Sequence, residues 1–234
     1  NSHPKGPVYV GFTSNAMEGM AEMNIVPSTR AHDAVRPDPE GIKRACNLLL
    51  NARNPVLMVG DRVSDDNGLE GAVKLAELLG LPVFQNRGGE VSFPTDHPQY
   101  MGAHSLRVKR DRESLADFDV VLAVGMDTFD ELFYWGDVIL SESQKLIHID
   151  PIPGRVGRSE PTDVGIISNC KTALEAIIEA LEPSIDPSVT KSRTRQVTSE
   201  AKELISGYEK SVQEKWNNSP MSPARMMFEL SKAV

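Results

Sequence analysis

Short apolar runs alternate with helical patterns along the middle of this chain, and no other feature limits its possible folds as strongly. The runs are residues 55–60 (PVLMVG), 81–84 (LPVF) and 119–125 (DVVLAVG), followed by residues 145–150 (KLIHID) and 164–168 (VGIIS). A continuously apolar run of this length is typical of a strand buried on both faces. Buried strands that alternate with helices predict a parallel sheet whose right-handed crossovers cover both faces. We therefore expect an α/β fold with a doubly wound parallel sheet.

Helix signals fall between these runs. Pro39 and Glu40 open a helix that ends near Asn51, and Gly80 lies just past a second helix over residues 68–79. Apolar residues lie mostly on one side of the first helix: Ile42, Ala45, Cys46, Leu48, Leu49 and Leu50. Further expected elements are a short helix over 113–118, a capped helix over 169–181, and long loops through 88–104 and 126–137.

The two ends of the chain differ from this middle part. Residues 7–12 (PVYVGF) predict a short strand, whereas the following stretch has no sustained period and indicates a linker. Residues 184–196 are polar and turn-rich, which indicates a second linker. A charged amphipathic helix over 197–216 and a further helix within 219–234 follow. We therefore divide the chain into residues 1–38, a central domain over residues 39–183, and residues 184–234.

Composition excludes several classes of function. With 40% hydrophobic and 25% charged residues and no apolar run long enough for a bilayer, the sequence predicts a globular protein outside the membrane. The formal net charge of -8 disfavours nucleic acid as a partner, because counterion release needs a basic surface. Cys46 and Cys170 lie in apolar helical patterns without a close companion, which indicates buried free thiols and a cytoplasmic location. The first residues do not have the pattern of a signal peptide.

Motifs that would carry chemistry are absent or weak. His97 and His104 flank the loop after the second apolar run, and His148 lies inside another run. No cysteine or carboxylate recurs near them at a metal-ligand spacing, so we expect structural histidines and assign no metal ligand. No serine lies in a nucleophile elbow, and we assign no catalytic residue.

Five segments occur in an order and spacing that are more specific than any segment alone. They are GPVYVGF, NPVLMVGD with LAELLGLPVFQNRGGEVSFPTDHPQYMGAH, FDVVLAVGMDTFDE, KLIHIDPIPGRVGRSEPTDVGIISNCKTALEAI and SPMSPARMMFEL. Together they resemble the central domain of the thiamine-diphosphate-dependent enzymes related to acetolactate synthase, benzoylformate decarboxylase and pyruvate oxidase. The first segment resembles the last strand of the family's N-terminal pyrimidine-binding domain, and the last resembles the opening helix of its C-terminal diphosphate-binding domain. The resemblance implies a Rossmann-like domain of the DHS-like NAD/FAD-binding type, within a homo-oligomeric parent enzyme of three α/β domains.

The same resemblance implies that the chemistry of the parent enzyme lies outside this chain. In these enzymes a glutamate of the first domain activates the cofactor, and a Gly-Asp-Gly segment with a downstream Asn in the third domain binds the metal. Neither is present, since Gly60-Asp61-Arg62 lacks the second glycine and follows a different strand. We therefore expect thiamine diphosphate and Mg²⁺ to be bound only by the parent enzyme. This chain alone should be inactive, with the flanking domains as its partners.

A vestigial or weak nucleotide site is the remaining candidate. Ligands of open parallel sheets bind beyond the carboxyl ends of the strands, at loops that here start at Gly60, Gln85, Gly125 and Asp150. In flavin-bearing relatives such loops hold FAD. By this resemblance the matching positions are Gly60, Gly102, His104, Gly125, Phe129 and Asp150.

The residues around the first of these loops argue against tight FAD binding. The turn best placed for a diphosphate carries Asp61, Asp65 and Asp66 and has no glycine fingerprint, so we do not expect FAD in this domain. Four arginines could hold a phosphate elsewhere, although solvated surface arginine is the commoner fate: Arg62, Arg87, Arg107 and Arg110.

Two other functions stay open at the level of sequence. One is a free-standing module, of the sirtuin or transhydrogenase type, that binds FAD, NAD or ADP, and the other is a non-catalytic interaction domain. An aromatic loop favours packing between domains or subunits: Phe129, Leu132, Phe133, Tyr134 and Trp135. A catalytic Glu upstream and a Gly-Asp-Gly downstream in the parent reading frame would decide for the thiamine-diphosphate enzyme.

Overall fold

One parallel sheet organises the chain. The computed structural model describes residues 7, 9–27, 34–86, 91–104, 109–127 and 139–233, and the structural statements below concern these residues. The strands are β1 (Pro55–Val59), β2 (Val83–Asn86), β3 (Tyr100–His104), β4 (Val120–Val124), β5 (Lys145–Asp150) and β6 (Val164–Ile167). They lie in the order β3-β2-β1-β4-β5-β6 with every neighbouring pair parallel, which confirms the predicted doubly wound sheet.

Helices connect the strands and flank the sheet. They are α1 (Ser14–Glu18), α2 (Pro39–Asn51), α3 (Asp61–Asp65), α4 (Leu69–Leu79), α5 (Lys109–Ser114), α6 (Cys170–Leu181), α7 (Pro187–Glu214) and α8 (Pro223–Ala233). Helices α2, α4 and α6 have the bounds that the sequence predicts, to within a residue. No helix in the described ranges is both long and apolar enough to cross a lipid bilayer.

Alternate residues of the strands face two separate apolar clusters. On one face Leu57, Leu122 and Ile147 pack with the apolar sides of α2, α4 and α6. On the other face Met58 and Val121 belong to a smaller cluster that includes Phe84, Leu115, Met126 and Leu140. All five residues of β1 and of β4 are buried, which confirms that their apolar runs are strands covered on both faces.

Local signals explain where the main helices begin and end. The Asp38 side chain accepts a hydrogen bond from the Glu40 N–H at 3.4 Å, and Pro39 occupies the first helical position of α2. Gly80 adopts φ +68 and ends α4 in the left-handed conformation. The Asn169 side chain accepts from the Thr172 N–H at 3.3 Å and caps α6.

The sequence prediction is wrong for one strand, for the end of another and for the bounds of one helix. β3 lies inside the predicted loop 88–104, because an edge strand that is only half-buried lacks the apolar run on which the prediction rested. Gln85 does not start a loop, since β2 continues to Asn86. The predicted helix over 113–118 is displaced towards the N-terminus: α5 ends at Ser114 and a 3₁₀ turn covers Leu115–Asp117.

Residues 184–196 are not the turn-rich segment that the sequence predicts, because α7 begins at Pro187 and includes most of them. Asp186 caps this helix by accepting from the Ser188 N–H at 2.8 Å. The first turns of α7 contact the domain: the Thr190 hydroxyl donates to the Leu78 carbonyl at 2.8 Å, and Arg193 donates to the Ala52 carbonyl. These contacts, rather than an apolar stripe, stabilise a polar helical segment.

Residues 7 and 9–12 do not form the predicted strand. Tyr9, Val10 and Phe12 are 94%, 62% and 69% exposed, and their backbone pairs with no strand of the sheet. An extended segment becomes a strand only where a neighbour accepts its hydrogen bonds. The following residues contain only the short helix α1 and are exposed up to residue 27, as the predicted linker requires.

Candidate functional site

The carboxyl ends of the parallel strands meet at one edge of the sheet, and the loops that leave this edge form the candidate site. β1 leads to β2 and β3 on one side, whereas β4 leads to β5 and β6 on the other, so the topological switch point lies between β1 and β4. Gly60 and Gly125 directly follow these two strands, and Asp150 ends the adjacent β5. The structure thus brings three of the predicted site residues together.

At the switch point, the two glycines allow the loops to touch. A Cβ atom on Gly60 would lie 2.4 Å from the Cβ atom of Met126 and 2.6 Å from the carbonyl oxygen of Gly125. Gly125 has φ +62, and a Cβ atom there would lie 2.7 Å from the backbone nitrogen of Val63. The Arg62 N–H donates to the Gly125 carbonyl at 3.1 Å. Both glycines therefore serve the close packing of α3 over the end of β4.

Arg62 extends from α3 and binds two carboxylates at this edge. Its Nε donates to Asp150 Oδ2 at 2.7 Å, and its Nη2 donates to Asp127 Oδ1 at 2.8 Å. The Nε of Arg155, from the β5–β6 loop, lies 3.3 Å from the same Asp127 oxygen. The Arg62 side chain is 13% exposed and that of Asp150 is fully buried. Arg62 is thus an internal ion-pair partner, and the expectation of a solvated surface arginine is wrong for this residue.

Burial and ion pairing act in opposite directions on the Arg62–Asp150 pair. Burial works to lower the pKa of the Arg62 guanidinium, but the charges and hydrogen bonds of Asp150 and Asp127 outweigh it and raise that pKa. Burial raises the pKa of the Asp150 carboxyl, opposed by Arg62 and by the Ile152 N–H, which donates to Oδ1 at 2.9 Å. The ion pair therefore compensates a desolvation cost, and does not leave a charge available to a ligand.

His148 lies wholly buried beside this ion pair. Its Nε2 is 3.2 Å from the Met126 carbonyl, and the Gly157 N–H donates to its Nδ1 at 3.5 Å. Burial, together with the positive charge of Arg62, lowers the pKa of His148 to about 4. The imidazole is therefore neutral at physiological pH and bridges two loops, which is the structural role that the sequence predicts for it.

Asp66 does not face the position where a diphosphate would bind at the end of β1. Its Oδ2 accepts from the Cys170 N–H at 2.7 Å, so this nearly buried carboxylate satisfies the N-terminus of α6. Only Asp61 of the three aspartates sits at the start of α3, directly after Gly60. The sequence argument that all three would repel a diphosphate is wrong in this respect. Cys170 and Cys46 are buried free thiols whose pKa burial raises.

Gly102 and His104 lie on the edge strand β3, away from the switch point. His104 Nε2 is 2.7 Å from Ser114 Oγ, and its ring packs edge-on against Phe84 at 3.9 Å between centroids. Gly102 has φ +107 and open space around it. Four strand spacings separate β3 from β5, roughly 19 Å. The structure therefore does not bring these two residues next to Asp150.

Some predicted residues have other positions or lie outside the described ranges. Phe129, Arg87, Arg107 and the aromatic loop over 129–135 lie outside the described residues, as does the side chain of Arg110. His97 is structural: its Nδ1 accepts from the Gln99 N–H at 3.2 Å and its ring packs edge-on against Phe93. Among the described residues no group of His, Cys, Asp and Glu side chains could hold a metal ion.

Asp127 and Arg155 are the residues of this edge that the sequence analysis missed. Asp127 follows Gly125 by two positions, as Arg62 follows Gly60 by two positions. Residues at the same distance from two adjacent strand ends lie near each other, and this matched spacing was the only available signal. Nothing in the sequence around Arg155 indicates its contact with Asp127.

Comparison with known proteins gives one consistent answer. The family model "Thiamine pyrophosphate enzyme, central domain" matches residues 42–177. Probable acetolactate synthase large subunits from Methanocaldococcus jannaschii and Methanococcus aeolicus are 27% and 26% identical to this chain, over 74% and 98% of it. The chain spans only 30% and 40% of the length of these two relatives.

Solved structures show the same relationship. The thiamine diphosphate-dependent 4-hydroxybenzoylformate decarboxylase of Rhodococcus jostii RHA1 is 28% identical, with a TM-score of 0.60 over 68% of this chain and 30% of its own. A putative thiamin diphosphate-dependent enzyme from Mycobacterium smegmatis is 26% identical, with a TM-score of 0.59 over 66% of this chain and 30% of its own. None of these proteins is a free-standing nucleotide-binding module. The match of the family model to more than half of the chain, together with the doubly wound sheet, shows that this protein belongs to the central-domain family of the thiamine pyrophosphate enzymes.

Proposed function

We propose that this chain is a structural central domain that joins the two cofactor-binding domains of a thiamine-diphosphate-dependent enzyme of the acetolactate synthase or 2-oxo-acid decarboxylase type. The names of the relatives support this class of reaction. Residues 39–183 form the central domain, residues 1–38 the end of the preceding domain with a linker, and residues 184–234 a linker with the first helix of the following diphosphate-binding domain. The parent enzyme is a cytoplasmic homo-oligomer.

The observation that carries this proposal is the closed switch point. The backbone of α3 lies on Gly125, and Arg62 joins the ends of β4 and β5 through Asp127 and Asp150. Sheets of this topology bind nucleotides in a crevice at the switch point. Here the chain's own atoms occupy the approach to the backbone, so the fold acts as a scaffold.

The described residues also do not fit the cofactor of the parent enzyme. Among them no group of three or more His, Cys, Asp and Glu side chains could hold a metal ion, and the Gly-Asp-Gly segment that binds the metal in the enzymes that this chain resembles is absent from the sequence. Thiamine diphosphate supplies the carbanion chemistry when the parent enzyme binds it. The contribution of this chain is to hold the flanking domains at a fixed separation, and it supplies no catalytic residue.

Calorimetric titration of the purified chain with thiamine diphosphate and Mg²⁺ tests the proposal. We expect no saturable heat from the chain alone, whereas the full-length protein should bind the cofactor and decarboxylate a 2-oxo acid. Saturable binding to the chain tighter than about 100 μM, equivalent to roughly 5.5 kcal/mol, contradicts the proposal.

A second measurement tests the nucleotide site separately. The chain is purified without added cofactor and denatured, its visible spectrum is recorded, and the native chain is titrated with FAD and with ADP. We expect neither released flavin nor tight FAD binding, because the N–H groups of Gly60, Arg62 and Gly125 already donate to carbonyls of this chain. A yellow preparation that releases about one flavin per chain would show that the loops rearrange around a dinucleotide.

A further inference from the structure

An apolar groove lies between α7 and the edge of the sheet. Its volume is about 570 Å³, and one wall is formed by residues 95–102, which include β3 residues Tyr100 and Met101. The other wall is one side of α7, with Ala201, Leu204, Ile205 and Tyr208. Leu204, Ile205 and Tyr208 are 55%, 58% and 47% exposed. Exposed apolar side chains that lie together in this way, rather than singly, are a feature of interaction surfaces.

The groove continues directly into the contact between α7 and α8. Tyr208 lines the groove, and its hydroxyl donates to the Ala224 carbonyl in the first turn of α8 at 3.4 Å. Trp216 packs edge-on against Phe228, and the Arg225 guanidinium lies 4.5 Å from the Trp216 ring centre, so α8 is held against the end of α7. Met226, Met227 and Leu230 of α8 are 49%, 56% and 50% exposed. Apolar surface thus extends from α7 onto α8.

The length and family of the relatives indicate what covers this surface. More than half of each relative lies outside the part that this chain matches, and the matched family is a central domain. Helix α8 has 11 residues and spans about 16 Å, so polypeptide that follows it emerges within reach of Tyr208. Lys202 and Asp96 line the groove with charges of opposite sign, so the groove has no net charge from them. Apolar contact is therefore the main interaction that it offers to a partner.

We propose that the α7 groove is the docking surface for the C-terminal domain that α8 opens in the full-length enzyme, which inserts apolar side chains between α7 and β3. This inference rests on the proposed function, because it requires a following domain. The groove thereby fixes the orientation of that domain relative to the sheet.

Hydrogen exchange tests the proposal on two proteins, the chain of residues 1–234 and the full-length enzyme. Amides of residues 198–208 and 95–102 should exchange at least about tenfold more slowly in the full-length enzyme. Equal rates in the two proteins overturn the proposal. Slower exchange in the isolated chain as its concentration rises also overturns it, since the occupant would then be a second copy.

A matched pair of variants adds an independent readout. Ile205→Glu and Ser206→Glu introduce the same charge at adjacent positions of α7, but only Ile205 lines the groove. We expect Ile205→Glu to restore fast exchange in the full-length enzyme and to leave the stability of the isolated chain unchanged, whereas Ser206→Glu changes neither. A loss of stability in the isolated chain overturns the proposal, because Ile205 would then belong to its own core.

Activity distinguishes this inference from the proposed function. A full-length protein without thiamine-diphosphate-dependent turnover contradicts the proposed function, yet its exchange pattern still reports on the groove. An active enzyme whose α7 amides exchange as fast as those of the isolated chain contradicts only the docking inference.

Discussion

The Arg62 side chain occupies the carboxyl edge of the sheet, where a ligand would bind in other sheets of this topology. Its guanidinium binds the buried carboxylate of Asp150 and also that of Asp127, so one side chain of α3 joins the ends of β4 and β5. A buried ion pair of this kind adds little net stability, but removal of one partner leaves an uncompensated charge in the interior. The pair therefore specifies which loops lie together more than it adds to the free energy of unfolding.

A double-mutant cycle tests this coupling. Arg62→Met should lower the free energy of unfolding by about 3–5 kcal/mol, because it leaves the fully buried Asp150 without its cation. Asp150→Asn in the same chain should recover much of that loss, since the amide oxygen still accepts from the Ile152 N–H. Urea unfolding of the wild type, both single variants and the double variant gives the interaction energy. Additive effects would show that the two side chains are not coupled.

His148 makes stability depend on pH in a defined window. The pKa of His148 is lowered to about 4 in the folded chain, whereas an unfolded histidine titrates near 6.5. Between these values the unfolded chain binds a proton that the folded chain does not, so stability falls as the pH falls from about 6.5 to 4. The loss reaches at most about 3 kcal/mol. His148→Asn should flatten this part of the urea-unfolding profile, and an unchanged slope would contradict the assignment.

At the scale of elements, a run of apolar residues was sufficient to predict a buried strand. It was not sufficient to predict the elements at the surface. β1 and β4 follow their apolar runs closely, because burial on both faces leaves no room for polar side chains. β5 and β6 also follow their runs, although β6 alternates buried and exposed residues. β3 was missed because its side chains are half-exposed, and the start of α7 was missed because capping and hydrogen bonds to distant residues stabilise it. Such partners are more than 100 positions apart in the chain, so no local pattern contains them.

The central strands should not tolerate a charge. Val121 is fully buried in β4, and Val121→Asp places an unpaired carboxylate in the core, a cost that exceeds the stability of a typical domain. We expect no soluble, cooperatively folded protein from this variant. Ile167→Asp is the matched control, because Ile167 lies in β6 but is 45% exposed. The two variants are compared by soluble yield and thermal unfolding, and a cooperatively folded Val121→Asp protein would contradict the packing of β4.

The first turns of α7 depend on a hydrogen bond from Arg193. Its guanidinium donates to the Ala52 carbonyl just after the end of α2, a charge-assisted bond worth about 1.5–3 kcal/mol. Arg193→Ala should therefore lower the urea midpoint and speed hydrogen exchange in residues 187–196. Arg195→Ala removes the same charge from an exposed position and should do neither. Equal effects of the two changes would mean that net charge, and not this contact, matters.

At the scale of the whole molecule, the sequence was sufficient to predict where the candidate site lies but not which side chains occupy it. The carboxyl edge follows from the parallel sheet, and the positions of Gly60, Gly125 and Asp150 were predicted correctly from it. What fills that edge could not be predicted, because Arg62 meets Asp127 and Asp150 across separations of 65 and 88 residues. A glycine after a strand indicates that another group approaches the backbone closely. At Gly60 and Gly125 that group is another loop of the same chain.

The packing of α2 against α6 has a consequence for the order in which the chain matures. The apolar side of α2 lies against α6, and the Cys46 thiol reaches the Ile177 carbonyl 131 residues later. On the ribosome, α2 is therefore complete long before the helix that covers it has been synthesised. We therefore expect Ile42, Cys46 and Leu49 of the nascent chain to lack their α6 contacts until residues 170–181 emerge, and apolar surface left uncovered in this way is prone to aggregation.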